Sequence, residues 1–182
     1  MTENKSTMKL TPIMEKYILH WGEMGTRWGV NRTVAQIQAL LFLSDRPLNA
    51  EEITETLGVA RSNVSTSIKE LQSWDLVKTV PQMGDRREHF ATLKDPWELF
   101  YTIMEGRKLR ELDPTMSVLR ECVLESESDK ETPEEVKARI KDVLEFMETL
   151  DTWHNQIKGL PKSTLLKLIK LGAKVQNFLG KK

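Results

Sequence analysis

Cysteine is almost missing from this 182-residue chain: Cys122 is the only one. That excludes an internal disulfide and any zinc site built from several cysteines. Histidine is scarce too. His20, His89 and His154 lie far apart, none in a spacing such as His-x3-His, and no glycine-rich phosphate loop occurs. No metal, cofactor or catalytic activity is therefore expected. Long hydrophobic runs are also lacking. The densest, Ala39-Leu40-Leu41-Phe42-Leu43, falls well short of the ~18 residues a membrane span needs. The opening Met1-Thr2-Glu3-Asn4-Lys5 has no basic segment followed by an apolar one, so the expectation is a cytoplasmic protein without a membrane partner. Net charge is absent as well, with 27 Lys and Arg against 27 Asp and Glu. Taken alone, that balance argues against nucleic acid, whose partner domains are usually basic.

The charges that are present are unevenly spread. Residues 121–151 carry eleven acids and four bases, whereas residues 159–182 carry six lysines and no acid. Opposite charge on neighbouring segments suggests helices that pack together. Residues 49–93 hold five bases and seven acids, yet Glu51, Glu52 and Glu55 fall together ahead of the more basic stretch.

Apolar spacing organises the rest. Ile13, Tyr17, Trp21, Met24 and Trp28 recur at helical intervals, with Gly22 and Gly25 as interruptions. A second helix over about Thr33–Ser44 turns Val34, Ile37, Leu40, Leu41 and Leu43 inward. Asn49-Ala50-Glu51-Glu52 forms a capping box for a short helix ending near Leu57. Gly58 turns the chain, and a further helix over Arg61–Trp74 has Val64, Ile68 and Leu71 on one face. Its other face is Arg61, Ser62, Asn63, Ser65, Thr66, Lys69 and Gln72, with no carboxylate between Val59 and Lys69. Strands over Leu76–Val80 and Arg87–Leu93 flank a turn at Met83–Arg86. Helix, turn, helix and hairpin make a winged helix-turn-helix.

Such a polar helix face suits the DNA major groove: Arg61 and Lys69 can pair with guanine, and Asn63 with adenine. Arg86 and Arg87 at a tight turn make a compact positive point for the minor groove. The stretches Leu57-Gly58-Val59-Ala60-Arg61-Ser62-Asn63-Val64-Ser65, Leu71–Val77 and Gly84-Asp85-Arg86-Arg87 resemble the MarR superfamily of transcription regulators. Its Asp-x-Arg wing falls on Asp85 and Arg87. Asp113-Pro114-Thr115 and Gly22-x-x-Gly25 resemble its GbsR-like branch. One departure is Ala60, where related sequences often carry a Ser or Thr cap. The resemblance implies DNA contacts by Arg61, Ser62, Asn63, Ser65, Thr66, Lys69, Arg86 and Arg87, with Arg32 and Thr33 touching phosphate. It also implies repression of genes for glycine-betaine synthesis and uptake.

Beyond the hairpin the chain reads as helical. Asp95-Pro96 and Asp113-Pro114 each mark a start, the second a kink or restart. Thr132-Pro133-Glu134-Glu135 reads as another capping box. After it, Val136, Ile140, Val143, Met147, Leu150, Trp153 and Ile157 form a near-heptad seam. A last helix over Lys162–Leu179 carries Leu165, Leu168, Val175 and Leu179. These seams exceed what a winged domain of this size needs, so a homodimer is expected, reading a palindromic double-stranded DNA site.

The expected organisation is a flexible start at 1–11, a winged helix-turn-helix domain with an N-terminal helix at 12–94, and a helical dimerisation region at 95–182. The fold class is mainly α with a small β-wing. Tyr17, Trp21, Trp28, Trp97 and Tyr101, with Phe100, are half of the aromatic residues; they suit core packing or a small-molecule effector such as choline or glycine betaine, held by cation–π attraction. The function expected is a dimeric, sequence-specific repressor. The alternative is a winged module that binds protein rather than DNA.

Overall fold

The computed structural model describes the backbone of residues 8–179 and the side chains of residues 8–171. Most of the expected flexible start, and the side chains of Lys174, Val175, Leu179, Lys181 and Lys182, lie outside the described residues. Two compact units divide at Ile103 and Met104.

In the first unit, α1 (Pro12–Arg27) opens at Thr11, whose hydroxyl accepts from the Met14 amide. Helix α2 (Arg32–Leu43) opens at Asn31, whose side-chain oxygen accepts from the Thr33 amide at 2.8 Å. The stripe of Ile13, Tyr17, Trp21, Met24 and Trp28 is not what α1 buries. Its buried residues are Ile18, Gly22 and Gly25, while Ile13 and Trp28 are 82% and 60% exposed. Close approach explains the difference. A Cβ on Gly25 would lie 2.5 Å from the Ala35 Cβ, and one on Gly22 2.8 Å from the Gln36 Cγ. The glycines lie at the contact with α2, Ile18 joins the core with Tyr17 packed beside it, and Ile13, Trp21 and Trp28 stay outside.

The short helix α3 (Ala50–Leu57) forms the expected capping box. The Asn49 side chain accepts from the amides of Glu51 and Glu52, and the Glu52 carboxylate accepts from the Asn49 amide at 2.9 Å. Gly58, at φ +63°, makes the left-handed turn into α4 (Arg61–Ser73). Ala60 sits at the cap of α4 and supplies no side-chain bond, yet the helix still begins at Arg61. Ile37, Leu40 and Leu41 from α2, Ile53 from α3, and Val64, Ile68 and Leu71 from α4 bury together. Each contributes about 1.5–3 kcal/mol of apolar burial before the entropy of ordering is subtracted.

The sheet has three antiparallel strands, β1 (Leu48–Asn49), β2 (Val77–Gln82) and β3 (Asp85–Thr92), with β3 in the middle. Alternation cannot reveal a strand as short as β1, which pairs Leu48 with Phe90 and Asn49 with His89. The hairpin turn is also tighter than expected. After an irregularity between Val80 and Gln82 the ladder resumes as far as Gln82 and Asp85. The loop is therefore only Met83-Gly84, with Gly84 at φ +80°, and Asp85 and Arg86 stand on β3. The irregularity falls at Pro81, which has no amide to give a ladder and is tolerated on the outer strand. Just beyond β3, the Lys94 ammonium donates to the carbonyls of Leu41, Phe42 (3.0 Å) and Ser44, capping the end of α2. Helix α5 (Pro96–Arg107) then begins, and its Leu99 and Ile103 pack against the core.

In the second unit, a π-helical turn (Lys108–Leu112) leads into α6 (Asp113–Ser126). Pro114 lacks an amide and its ring crowds the carbonyl one turn back. The backbone widens instead of stopping, and the Asp113 amide donates to the Lys108 carbonyl five residues earlier. Lys108 ties Asp113 (2.7 Å) to Asp151 (3.0 Å) on α7 (Glu134–Lys158). Those hydrogen bonds raise the Lys108 pKa, and the Lys108 bond holds Asp151 below the ordinary carboxylate value.

The capping box expected at Thr132 does not form. Helix α7 starts at Glu134, and Thr132 instead donates its hydroxyl and its amide to the Asp129 carboxylate. The seam expected on α7 is not what the helix buries. Val136, Val143, Leu150 and Trp153 are exposed, Ile140, Met147 and Ile157 are half-buried, and the buried residue is Leu144, outside that seam. Helix α8 (Lys162–Leu179) follows, with Leu165 buried. No helix among the described residues is long and apolar enough to cross a membrane, and no three His, Cys, Asp or Glu side chains among them form a metal-holding group.

Candidate nucleic-acid interface

Because Val64, Ile68 and Leu71 anchor α4 from one side, the other side of the helix must face out. Arg61, Ser62, Asn63, Ser65, Thr66 and Lys69 are all exposed. Ser67, between them, is buried and belongs to the packing face. The exposed row offers guanidinium, hydroxyl, carboxamide and ammonium groups along about two and a half turns, and it includes no acid until Glu70.

The wing meets the start of this helix through one carboxylate. On β3, Asp85 holds Arg87 in a fork: Nη2 donates to Oδ2 at 2.7 Å and Nε to Oδ1 at 3.0 Å. The third nitrogen, Nη1, donates to Oε2 of Glu51 on α3 at 3.1 Å. The other oxygen of Glu51 lies 3.6 Å from Nη1 of Arg61, the first residue of α4. The hydrogen bonds that Arg87 donates to Asp85, and then to Glu51, raise its pKa above the ordinary value. Arg61 and Arg87, 26 positions apart in the sequence, thus share a counter-charge. Arg86, the preceding residue on β3, is exposed, and Met83 at the tip is wholly exposed.

Beneath the wing lies His89, 1% exposed. Its Nδ1 is 3.0 Å from the Arg87 carbonyl, and its Nε2 is 3.6 Å from Asp85. Buried Glu52 completes this support by binding Arg46 at 2.7 Å. Burial pushes the Glu52 pKa up, but the Arg46 bond and the Asn49 amide outweigh it and hold the carboxyl below its usual value.

Sequence reasoning put Asp85 beside an arginine correctly and missed the bridging role of Glu51. Position in the capping box made Glu51 look like an ordinary first-turn acid; only the tertiary approach of β3 to α3 reveals its two partners. Arg32 and Thr33 stand at the first turn of α2, with Arg32 exposed and its stem beside Gly22. Two aromatic pairs form along single helices. Tyr17 and Trp21 meet on α1 at a tilt of 60° with ring centroids 5.8 Å apart, and Phe100 and Tyr101 meet edge-on on α5 at 5.9 Å. Trp21 and Trp28 are exposed, and Trp97 is half-buried.

Comparison with known proteins agrees with this architecture. Residues 28–88 match the MarR family. Over 166 residues, 90% of this chain and 92% of the relative, the sequence is 20% identical to the HTH-type transcriptional repressor GbsR of Bacillus subtilis (strain 168). It is 18% identical over 127 residues, 66% of this chain and 72% of the relative, to the putative HTH-type transcriptional regulator YvaV of the same organism. A crystal structure described as a transcriptional regulator superposes with a TM-score of 0.66 at 15% identity, covering 81% of this chain and 97% of that one. That likeness is one of fold.

Proposed function

With a MarR-type winged helix at residues 28–88 as the premise, we propose that this protein is a dimeric, sequence-specific DNA-binding repressor. The observation that carries the reading is the meeting of two cationic elements at Glu51. The outward row of α4 begins at Arg61, and the wing arginine Arg87 lies at the same carboxylate, so a recognition helix and a wing are adjacent for major- and minor-groove contact. Ser62, Asn63, Ser65, Thr66 and Lys69 read or approach bases, Arg86 and Arg87 serve the wing, and Arg32 and Thr33 reach phosphate. Repression is carried over from the Bacillus subtilis relative, the transcriptional repressor GbsR. A palindromic operator follows from two-fold pairing of identical subunits.

Selection from random DNA followed by fluorescence anisotropy tests this. The selected site is palindromic, and its affinity falls steeply with salt. Asn63→Ala lowers affinity for that site by about 1–3 kcal/mol, the scale of one bidentate base contact, and changes non-specific binding little. Arg87→Ala weakens the complex strongly. No salt-dependent DNA binding in the wild type leaves the protein-binding module as the reading, consistent with the acid excess in residues 49–93.

The effector we assign to the aromatic residues is a quaternary ammonium compound, choline or glycine betaine, at Tyr17, Trp21, Trp28, Trp97 and Tyr101. The support is cation–π chemistry and the exposure of Trp21 and Trp28. Choline titration followed by tryptophan fluorescence and by operator release tests it; no response in both removes the assignment.

A further inference from the structure

We infer that Glu51 is a built-in counter-charge that sets DNA specificity by neutralising part of the reading surface in the unbound protein. The inference rests on the DNA-binding reading above and concerns the carboxylate at which its two cationic elements meet, to which that reading gives no role of its own. Glu51 is not needed to cap α3, because Asn49 and Glu52 already satisfy the capping box. Nor does it contribute much to stability: exposed ion pairs give only a small net gain, and the Glu51 side chain is 48% exposed. What distinguishes it is geometry. Its two oxygens face two guanidinium groups from elements distant in sequence, at 3.1 Å for Arg87 and 3.6 Å for Arg61. Together with Asp85, it makes a cluster of two cations and two anions with no net charge at the junction of helix and wing.

The consequence differs between the two kinds of DNA complex. Non-specific affinity comes almost wholly from phosphates whose counterions are displaced by protein cations. Two of this surface's cations already have a counter-ion in the protein, so they add little to that term. The specific complex also contains hydrogen bonds to base edges from Ser62 and Asn63, which Glu51 does not touch. A carboxylate at this position therefore subtracts more from non-specific than from specific binding. Discrimination increases at the expense of raw affinity.

The test is Glu51→Gln, which keeps the shape of the side chain and removes its charge. Affinities for the selected operator and for a scrambled duplex are measured across a salt series. Non-specific affinity is expected to rise about three- to tenfold, with its salt slope steepening by about 1–2, the effect of one or two recovered phosphate contacts. The specific affinity rises less, so the ratio between them falls. Glu23→Gln, an exposed change of equal charge on α1, leaves the ratio unchanged. An unchanged or increased ratio in Glu51→Gln overturns the proposal, and so does an equal fall in Glu23→Gln, since net charge alone would then explain it. A wild type that binds neither duplex defeats the DNA reading itself, whereas operator binding with an unaltered ratio defeats only the role of Glu51.

Discussion

Two glutamates one residue apart on α3 do different work. Glu51 faces outward to guanidinium groups, while Glu52 is buried, 5% exposed, and ties the start of α3 to Arg46. The depressed Glu52 pKa sets a direction for acid sensitivity. A carboxyl whose folded pKa lies below its unfolded one stabilises the fold above the unfolded value, and that contribution is lost as pH falls through the folded one. Glu52→Gln is therefore expected to lower the thermal midpoint at neutral pH. The gap from wild type should narrow as pH drops below about 5, where the unfolded carboxyl begins to protonate. Thermal melts of both proteins across that range check it; a gap that widens in acid contradicts the assignment.

At the level of elements, the meeting of α1 and α2 is the most sensitive joint in the first unit. Gly25→Ala puts a methyl 2.5 Å from the Ala35 Cβ, and neither backbone-proximal carbon can swing away. Overpacking of this kind costs about 1–3 kcal/mol, against a helix-propensity gain of about 1 kcal/mol for replacing glycine. Net destabilisation is expected. Gly22→Ala meets the Gln36 side chain at 2.8 Å, which can rotate, so its effect should be smaller. Denaturant titration of the two variants decides the order.

That joint also shows where sequence reading stopped. Helix α4 was legible because Val64, Ile68 and Leu71 repeat with the helix period, and the same pattern exposes Arg61, Ser62, Asn63, Ser65, Thr66 and Lys69. The inner face of α1 was not legible, because a glycine pair adds nothing to an apolar stripe, whereas the exposed Ile13 and Trp28 do. Asp85 and Arg87 could be paired from their local spacing. Glu51 could not be joined to Arg87, since 36 positions separate them and their contact depends on the docking of β3 near α3. The missing Thr132 cap has a local competitor: Asp129 offers its carboxylate first.

For the whole molecule, the apolar residues left uncovered on α7 bear on assembly. Val136, Val143, Leu150 and Trp153 are exposed at spacings of seven, seven and three, a row that water disfavours and a second copy can cover. Light scattering at micromolar concentration is expected to give twice the 21.0 kDa chain mass. Leu150→Glu should shift that mass toward one chain and weaken operator binding, since a lone winged domain reads few base pairs. A single-chain mass for the wild type would remove the dimer.

The wing sheet bears on the same question from the other side. One of its borders is β1, two residues long, and the other is β2, broken at Pro81. Both features shorten the run of backbone groups that a strand from another molecule could join. Growth of crowded copies into a shared β-ribbon through the wing is therefore disfavoured, which directs self-association to helix-to-helix contact.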